Sequence, residues 1–213
     1  MTKAEKNAMI KEIYEKGTLE ALYEEIRESE REKIHAGDIQ MKQKIIIKNR
    51  TGKDTWTAIS STENGIMFLL DKEYEIKSVR FDDYYNHNNY INSDIRKTAN
   101  QCPSAIRAIN VLGKKSFIPL EIDLFSCDGL NDYGICKDDL FGILTYDMYR
   151  NNRKNIEPSY MWLSTPWSVP SGGGPYNILY VKKEGTVGHD WYSIPISIRP
   201  FFILKPKTIV TLL

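Results

Sequence analysis

Met161-Trp-Leu-Ser-Thr-Pro-Trp167, Gly172-Gly-Gly174, Ile178-Leu-Tyr-Val181, Gly188-His-Asp-Trp-Tyr-Ser193 and Ile198-Arg-Pro-Phe-Phe-Ile-Leu204 follow one another in the last third of this chain, and their order decides the fold. A tryptophan-bearing strand, a glycine turn, a short apolar run and a closing strand with one arginine predict a small antiparallel sheet. Residues 188–193, between the last two strands, are too polar and irregular for a core and read as a loop held open at one end of that sheet.

Working back toward the N-terminus, Gln40–Lys48 reads as a strand ending in the turn Asn49-Arg-Thr-Gly52. Asp54–Ser60 and Gly65–Leu70 are two further strands joined by Ser61-Thr-Glu-Asn64, which makes an antiparallel meander. Trp56 and Trp162 lie in strand-like runs and are expected in the core. Tyr84–Tyr90, rich in Asn and Tyr, reads as a surface loop. Asn92–Asn100 follows as a short helix capped by Asn92 or Ser93, and Pro103–Asn110 as a further helical turn. Residues 116–137 have no clean period and predict loops and short strands. Asp138–Thr145 reads as a buried strand, and Tyr146–Arg150 as a turn or helix.

The first 36 residues differ in kind. Met9, Ile10, Ile13 and Tyr14, then Leu19, Leu22, Tyr23 and Ile26, recur at helical spacing among charges, which predicts two short helices or one broken at Gly17-Thr18, with Thr18 able to cap the second. The domain organisation expected is a helical arm over 1–36, for attachment or self-association, and one globular α+β domain over 37–213 with antiparallel sheets and short helices. The length, 213 residues, suits one sizeable core with such an appendage. A homo-oligomer through the arm is left open.

The formal net charge is +1, from 29 basic and 28 acidic residues, so no global field favours nucleic acid or an anionic membrane. Lys42, Lys44, Lys48, Arg50 and Lys53 cluster, but they flank Ile45-Ile-Ile47, as charges do around an apolar strand. Three cysteines give no disulfide framework; Cys127 and Cys136 flank one loop, and reduced thiols are the default. The N-terminal residues lack the pattern of a signal peptide, and no run approaches bilayer length, so the expectation is a soluble protein made in a cytoplasm.

The common catalytic fingerprints are missing: no H-E-x-x-H, P-loop, dinucleotide fingerprint or G-x-S-x-G elbow occurs. His35, His87 and His189 are scattered, so neither a metal site nor a cofactor is expected. Asp82-Asp83, Asp138-Asp139 and Asp128 with Asn131 and Asp132 offer oxygen ligands, yet Asx-turn chemistry is the favoured reading of each. The stronger candidates are Trp167, Tyr176, His189, Asp190, Trp191 and Tyr192. Flat rings beside hydrogen-bonding groups are the mixture that sugar faces and protein hot spots use. For Trp191, core packing and binding remain equal alternatives.

Taken together, Trp56, Leu69-Leu70, the spacing Tyr90-x-x-Ser93-x-Ile95-Arg96-x-x-x-Asn100, Leu140-Phe-x-Ile-Leu-Thr145, Trp162-Leu-Ser-Thr-Pro166 and Ile198-Arg-Pro200 resemble, in kind and order, a domain family of unknown function widespread in bacterial and prophage proteins. The resemblance runs from about Gly37 to the C-terminus. It implies a C-type-lectin-like fold, similar in its last third to the variable proteins of diversity-generating retroelements and to formylglycine-generating enzymes. Where many members carry an arginine after the tryptophan, this chain has Met161-Trp-Leu-Ser164. All three cysteines precede Asp138, so the catalysis of the formylglycine-generating enzymes is not carried over. The function implied is a non-enzymatic phage or prophage virion protein. Its loop end would bind a host-surface glycan or protein, and its arm would contact other virion subunits. The rival is a structural head or tail decoration protein whose loops meet neighbouring subunits.

Overall fold

The computed structural model describes residues 2–16, 26–27, 30–83 and 88–213. The chain divides into two compact units, Met1–Lys33 and Ile34–Leu213. In the first, helix α1 (Lys3–Lys16) opens on a reciprocal cap: Glu5 N–H donates to Thr2 Oγ1 at 3.3 Å and Thr2 N–H to Glu5 Oε2 at 2.6 Å. The expected break at Gly17-Thr18 and the Thr18 cap lie outside the described residues. None of the described helices is long and apolar enough to cross a membrane.

The second unit begins three residues before the expected boundary. Ala36 is fully buried and its N–H donates to Thr208 O at 2.7 Å. The unit is mixed α+β, with largely antiparallel sheets and short helices. Strands β1 (Lys33–His35), β2 (Lys44–Asn49), β3 (Gly52–Ser61), β4 (Ile66–Leu70), β6 (Phe117–Ile118), β13 (Phe201–Leu204) and β14 (Ile209–Leu212) form one sheet in the order β1-β14-β2-β3-β4-β13-β6. A second sheet has the order β11-β10-β9-β12-β5, from β5 (Ile76–Val79), β9 (Met161–Pro166), β10 (Asn177–Val181), β11 (Val187–Trp191) and β12 (Ile196–Ile198). The pair β7 (Leu120–Asp123) and β8 (Ile135–Asp139) stands apart.

Continuous apolar runs such as Ile45-Ile-Ile47 and Ile66-Met-Phe-Leu-Leu70 mark buried strands, and along the second run successive side chains enter different cores. Met67, Leu69 and Phe201 join a cluster with Trp162, Ile178 and Ile198 of the second sheet. Phe68, Leu70 and Phe202 join Trp56, Phe141 and the helix residues Cys102, Ala105 and Ala108. Helix α2 (Asp94–Gln101), capped by Ser93 Oγ, gives Ile95 and Ala99 to the first cluster, while Ala105 and Ala108 belong to α3 (Pro103–Leu112), capped by Cys102 and longer than the single turn expected.

The spacing motif around Ser93 is scaffold. Arg96 holds Asp139 with two bonds of 2.6 and 3.1 Å and donates to Ile91 O, while Asn100 Nδ2 donates to Phe141 O at 2.9 Å. These contacts fasten α2 to the end of β8 and to the segment after it.

Several expectations are corrected. The strand expected from Gln40 is β2 and starts at Lys44, after Lys42 takes a positive φ. Residues 140–145 are not a strand: Phe141, Ile143 and Leu144 are buried, but only Gly142 bridges, to Phe201. A Cβ on Gly142 would stand 2.5 Å from Ile122 Cδ1, so the backbone itself is packed into the core there. Residues 84–87 of the expected surface loop lie outside the described residues, and its end is interior, with Asn88 and Tyr90 fully buried. The expected closing strand is two strands in different sheets. At Pro200 the ladder loses a donor, and Arg199 is buried with Nε on Leu70 O at 2.7 Å and Nη1 on Glu157 O at 2.5 Å. Burial lowers the Arg199 pKa, and Asp71, Glu75 and Glu157 oppose that.

Asp71, at the end of β4, is a buried carboxylate that accepts from Thr55 Oγ1 at 2.9 Å and from Thr57, with Lys44 Nζ 2.7 Å away. Burial raises its pKa, but Lys44, Thr57 and Thr55 outweigh that and hold it below the ordinary 3.8. A depressed folded-state pKa contributes stability that is complete above the unfolded value, near pH 4, and is lost as pH falls through the folded value. Asp71→Asn should therefore melt lower than wild type at neutral pH, with the gap narrowing below about pH 4, as read from thermal midpoints across pH. A gap independent of pH would show that the charge of Asp71 is not what the site stabilises.

Candidate functional site

The second sheet carries an exposed ring face at its β11 edge. The segment 188–193 is not a loop there. Its first residues belong to strand β11, which pairs antiparallel with β10, Asn177 opposite Trp191 and Leu179 opposite His189. The two residues of that strand with rings, His189 and Trp191, are two apart and so share a face. Each meets a ring from elsewhere. Trp167, just after β9, stacks on His189 with centroids 4.2 Å apart and planes 22° apart, and Tyr176, just before β10, stacks on Trp191 at 5.5 Å and 27°.

Trp191 is 53% exposed, Trp167 44% and Tyr176 42%, so these rings are stacked on one another yet face outward. For Trp191 this excludes core packing. Asp190 is half-buried and its Oδ1 accepts the Trp191 N–H at 2.8 Å, which fixes the backbone under the indole. Tyr192 departs from the rest: it is half-buried and packs against the core cluster, its N–H on Tyr176 O at 3.0 Å and its O accepting from Phe81 N–H at 2.8 Å. Its backbone thus closes the sheet under the rings, and the face itself is made by Trp167, His189, Tyr176 and Trp191.

Beside Trp167 and Tyr176 opens a cleft of about 480 Å³, lined also by Cys127, Asp128, Ser168, the glycines 172–174 and Asn177. Asp128 accepts from Ser126 Oγ and, at 2.6 Å, from Ser168 Oγ, and these bonds lower its pKa. The glycine turn has a steric reason: a Cβ on Gly172 would stand 2.2 Å from Ser168 Oγ, and Gly173 takes φ +79. Asp132 ties the turn from outside, accepting from Ser171 N–H at 2.9 Å and Ser171 Oγ at 2.7 Å.

Asn88 is the positioning residue that local patterns missed. Its Nδ2 donates to Ser168 O at 2.7 Å and Asn177 O at 2.8 Å, its Oδ1 accepts from Tyr133 Oη at 2.6 Å, and its N–H reaches Pro175 O at 3.1 Å. One buried amide thereby sets both strand ends that present Trp167 and Tyr176. No short-range sequence signal encodes this, since the carbonyls lie 80 and 89 residues away.

The carboxylate groups considered as cation ligands do not converge. Asp128 and Asp132 hold different serines, Asn131 Oδ1 accepts from Gly134 N–H, Asp139 is paired with Arg96, and Asp83 lies 3.0 Å from Arg80. Among the described residues no three His, Cys, Asp or Glu side chains are grouped to hold a metal ion. Cys127 and Cys136 are not bridged; all three cysteines are free, with Cys127 exposed and Cys102 and Cys136 buried.

Compared with known proteins, the chain matches no family model, no curated protein and no solved structure.

Proposed function

We propose that this chain is a non-enzymatic recognition module with a C-type-lectin-like domain, borne on a phage or prophage virion, whose ring face and adjoining cleft bind a glycan of the host surface. The observation that carries the reading is the pair of ring stacks, Trp167 on His189 and Tyr176 on Trp191, left exposed beside a cleft with a carboxylate and amide groups. Sugar rings present an apolar face and an equatorial rim of hydroxyls, and aromatic planes next to hydrogen-bonding groups match both. The virion setting and the fold name rest on the sequence resemblance, and the N-terminal arm supplies the attachment element.

The rival, a decoration protein contacting neighbouring subunits, draws on a separate observation. Strand β11 is an edge strand of its sheet, and an unpaired edge is a template for another chain's strand.

The double substitution Trp167→Ala, Trp191→Ala distinguishes these from a structural role. Ring hot spots contribute on the order of 2 kcal/mol each, so retention on host cells or immobilised surface glycans should fall at least about thirtyfold. Exposed substitutions shift stability by only about 0.5 kcal/mol, so the melting temperature should hold within a few degrees. Loss of particle assembly with host binding intact would favour decoration. Unchanged binding and assembly would move the site elsewhere.

A further inference from the structure

The cleft beside the rings adjoins a larger one. A second cavity of about 680 Å³ has Glu121, Asp123, Thr145, Asp147 and Arg150 in its lining, and Cys127 lines both clefts. Each volume falls in the range of about 300–1,000 Å³ usual for small-ligand sites. The exposed Cys127 thiol is common to both linings, and the two clefts together are here called the groove.

The charges along this groove are of one sign once the pairs are taken out. Among the described residues Arg150 is the single cation lining it, and it is engaged: its Nε lies 3.0 Å from Asp147 Oδ1 and its guanidinium stands over the Tyr146 ring at 5.5 Å. Glu121 has Lys137 Nζ at 3.4 Å. Asp123 and Asp128 have no ion-pair partner among the described residues; Asp123 accepts only the Phe125 N–H, and Asp128 only hydroxyls of serine and nearby backbone. One carboxylate without an ion pair among the described residues thus lines each cleft, Asp123 the larger and Asp128 the one beside the rings.

Resting on the glycan reading above, we infer that the ligand of this groove is a saccharide chain without acid groups, neutral or carrying amino sugars, that passes over Cys127 from the ring-side cleft into the larger one. Carboxylates accept hydrogen bonds from sugar hydroxyls or ammonium groups, whereas a sialic acid, uronate or phosphate would be set against Asp128 or Asp123, and among the described residues the lining offers it no cation but Arg150, already paired with Asp147. The ring stacks then hold one end of the chain and the polar wall of the larger cleft the other.

The test uses the intact chain and two readouts. On an array holding neutral, amino-sugar and acidic glycans, the strongest binders should be neutral or amino-sugar chains, and acidic analogues of the same backbone should bind at least about tenfold more weakly. The second readout is alkylation of Cys127 by a maleimide, with the labelled peptide identified by mass. Burial, with Asp128 and Asp147 nearby, raises the Cys127 thiol pKa, so labelling is run at mildly alkaline pH. Cys102 and Cys136 are buried, and burial raises both thiols, Cys136 to about 11, so they stay unlabelled.

An oligosaccharide at about ten times its Kd should slow labelling of Cys127 about tenfold. An acidic glycan among the tightest binders, or an unchanged labelling rate under a saturating neutral chain, overturns this inference and leaves glycan recognition standing. A blank array overturns the glycan reading itself, and the inference with it.

Discussion

Trp162→Ala should lower the melting temperature by roughly 6–20 °C, because a buried tryptophan truncated to alanine costs about 3–5 kcal/mol and each kcal/mol moves a chain of this size about 2–4 °C. The indole is buried in the cluster between the two sheets, edge-on to Phe81 and Tyr180 at centroid distances of 6.0 Å, and its Nε1 donates to Val79 O at 2.9 Å. Trp56 is equally buried but differs in one respect. It packs at 4.5 Å on Phe202, and its Nε1 has no hydrogen-bond partner among the described residues.

The contrast sharpens the prediction. Phenylalanine keeps most of the ring volume at either position, but at 162 it also deletes a hydrogen bond worth about 1 kcal/mol net. Trp162→Phe should therefore destabilise more than Trp56→Phe in urea titrations with unchanged slope. If the two phenylalanine variants lose equal stability, the Val79 bond contributes nothing. If Trp162→Ala melts within a few degrees of wild type, the ring is not core.

Both tryptophans are legible in the sequence as large apolar rings inside strand-like runs, and β4 is legible because a run such as Ile66-Met-Phe-Leu-Leu70 reads as a short strand covered on both faces. The ring face was legible in composition but not in geometry. Gly188 and Asp190 break the apolar alternation of β11, so nothing local marks it as a strand. Its pairing comes from the hairpin with β10, where Lys182 N–H donates to Thr186 O at 2.8 Å.

Two local signals in the sequence agree with the structure where the expected elements do not. Pro200 inside an apolar run already argues against one continuous strand, and the chain changes sheets there. Thr2 and Glu5 have the spacing of a capping box at the start of the arm. Asn88, by contrast, had no signal, because its role is to join carbonyls brought together only by the completed fold.

Arg107→Met should be about as costly as losing a core tryptophan, on the order of 3–5 kcal/mol, because it leaves Asp54 as an uncompensated buried charge. Both partners are buried, Arg107 Nη1 donating to Asp54 Oδ2 while Ser104 Oγ donates to Asp54 Oδ1 at 2.9 Å. The bridge ties α3 to β3, across the face of the sheet that the helices cover. Its own net worth is small, since two charges have been taken out of water to form it.

The consequence is a sign that only a double-mutant cycle reveals. Asp54→Leu together with Arg107→Met removes both charges and should recover part of the loss of Arg107→Met alone, the remainder reflecting the acceptor taken from Ser104. Because the pair is shielded from solvent, the single-variant loss should persist at about 1 M salt, where exposed pairs are screened within about 3 Å. A double variant less stable than either single one would show that the two side chains contribute through separate contacts, and that a stranded charge is not the source of the loss.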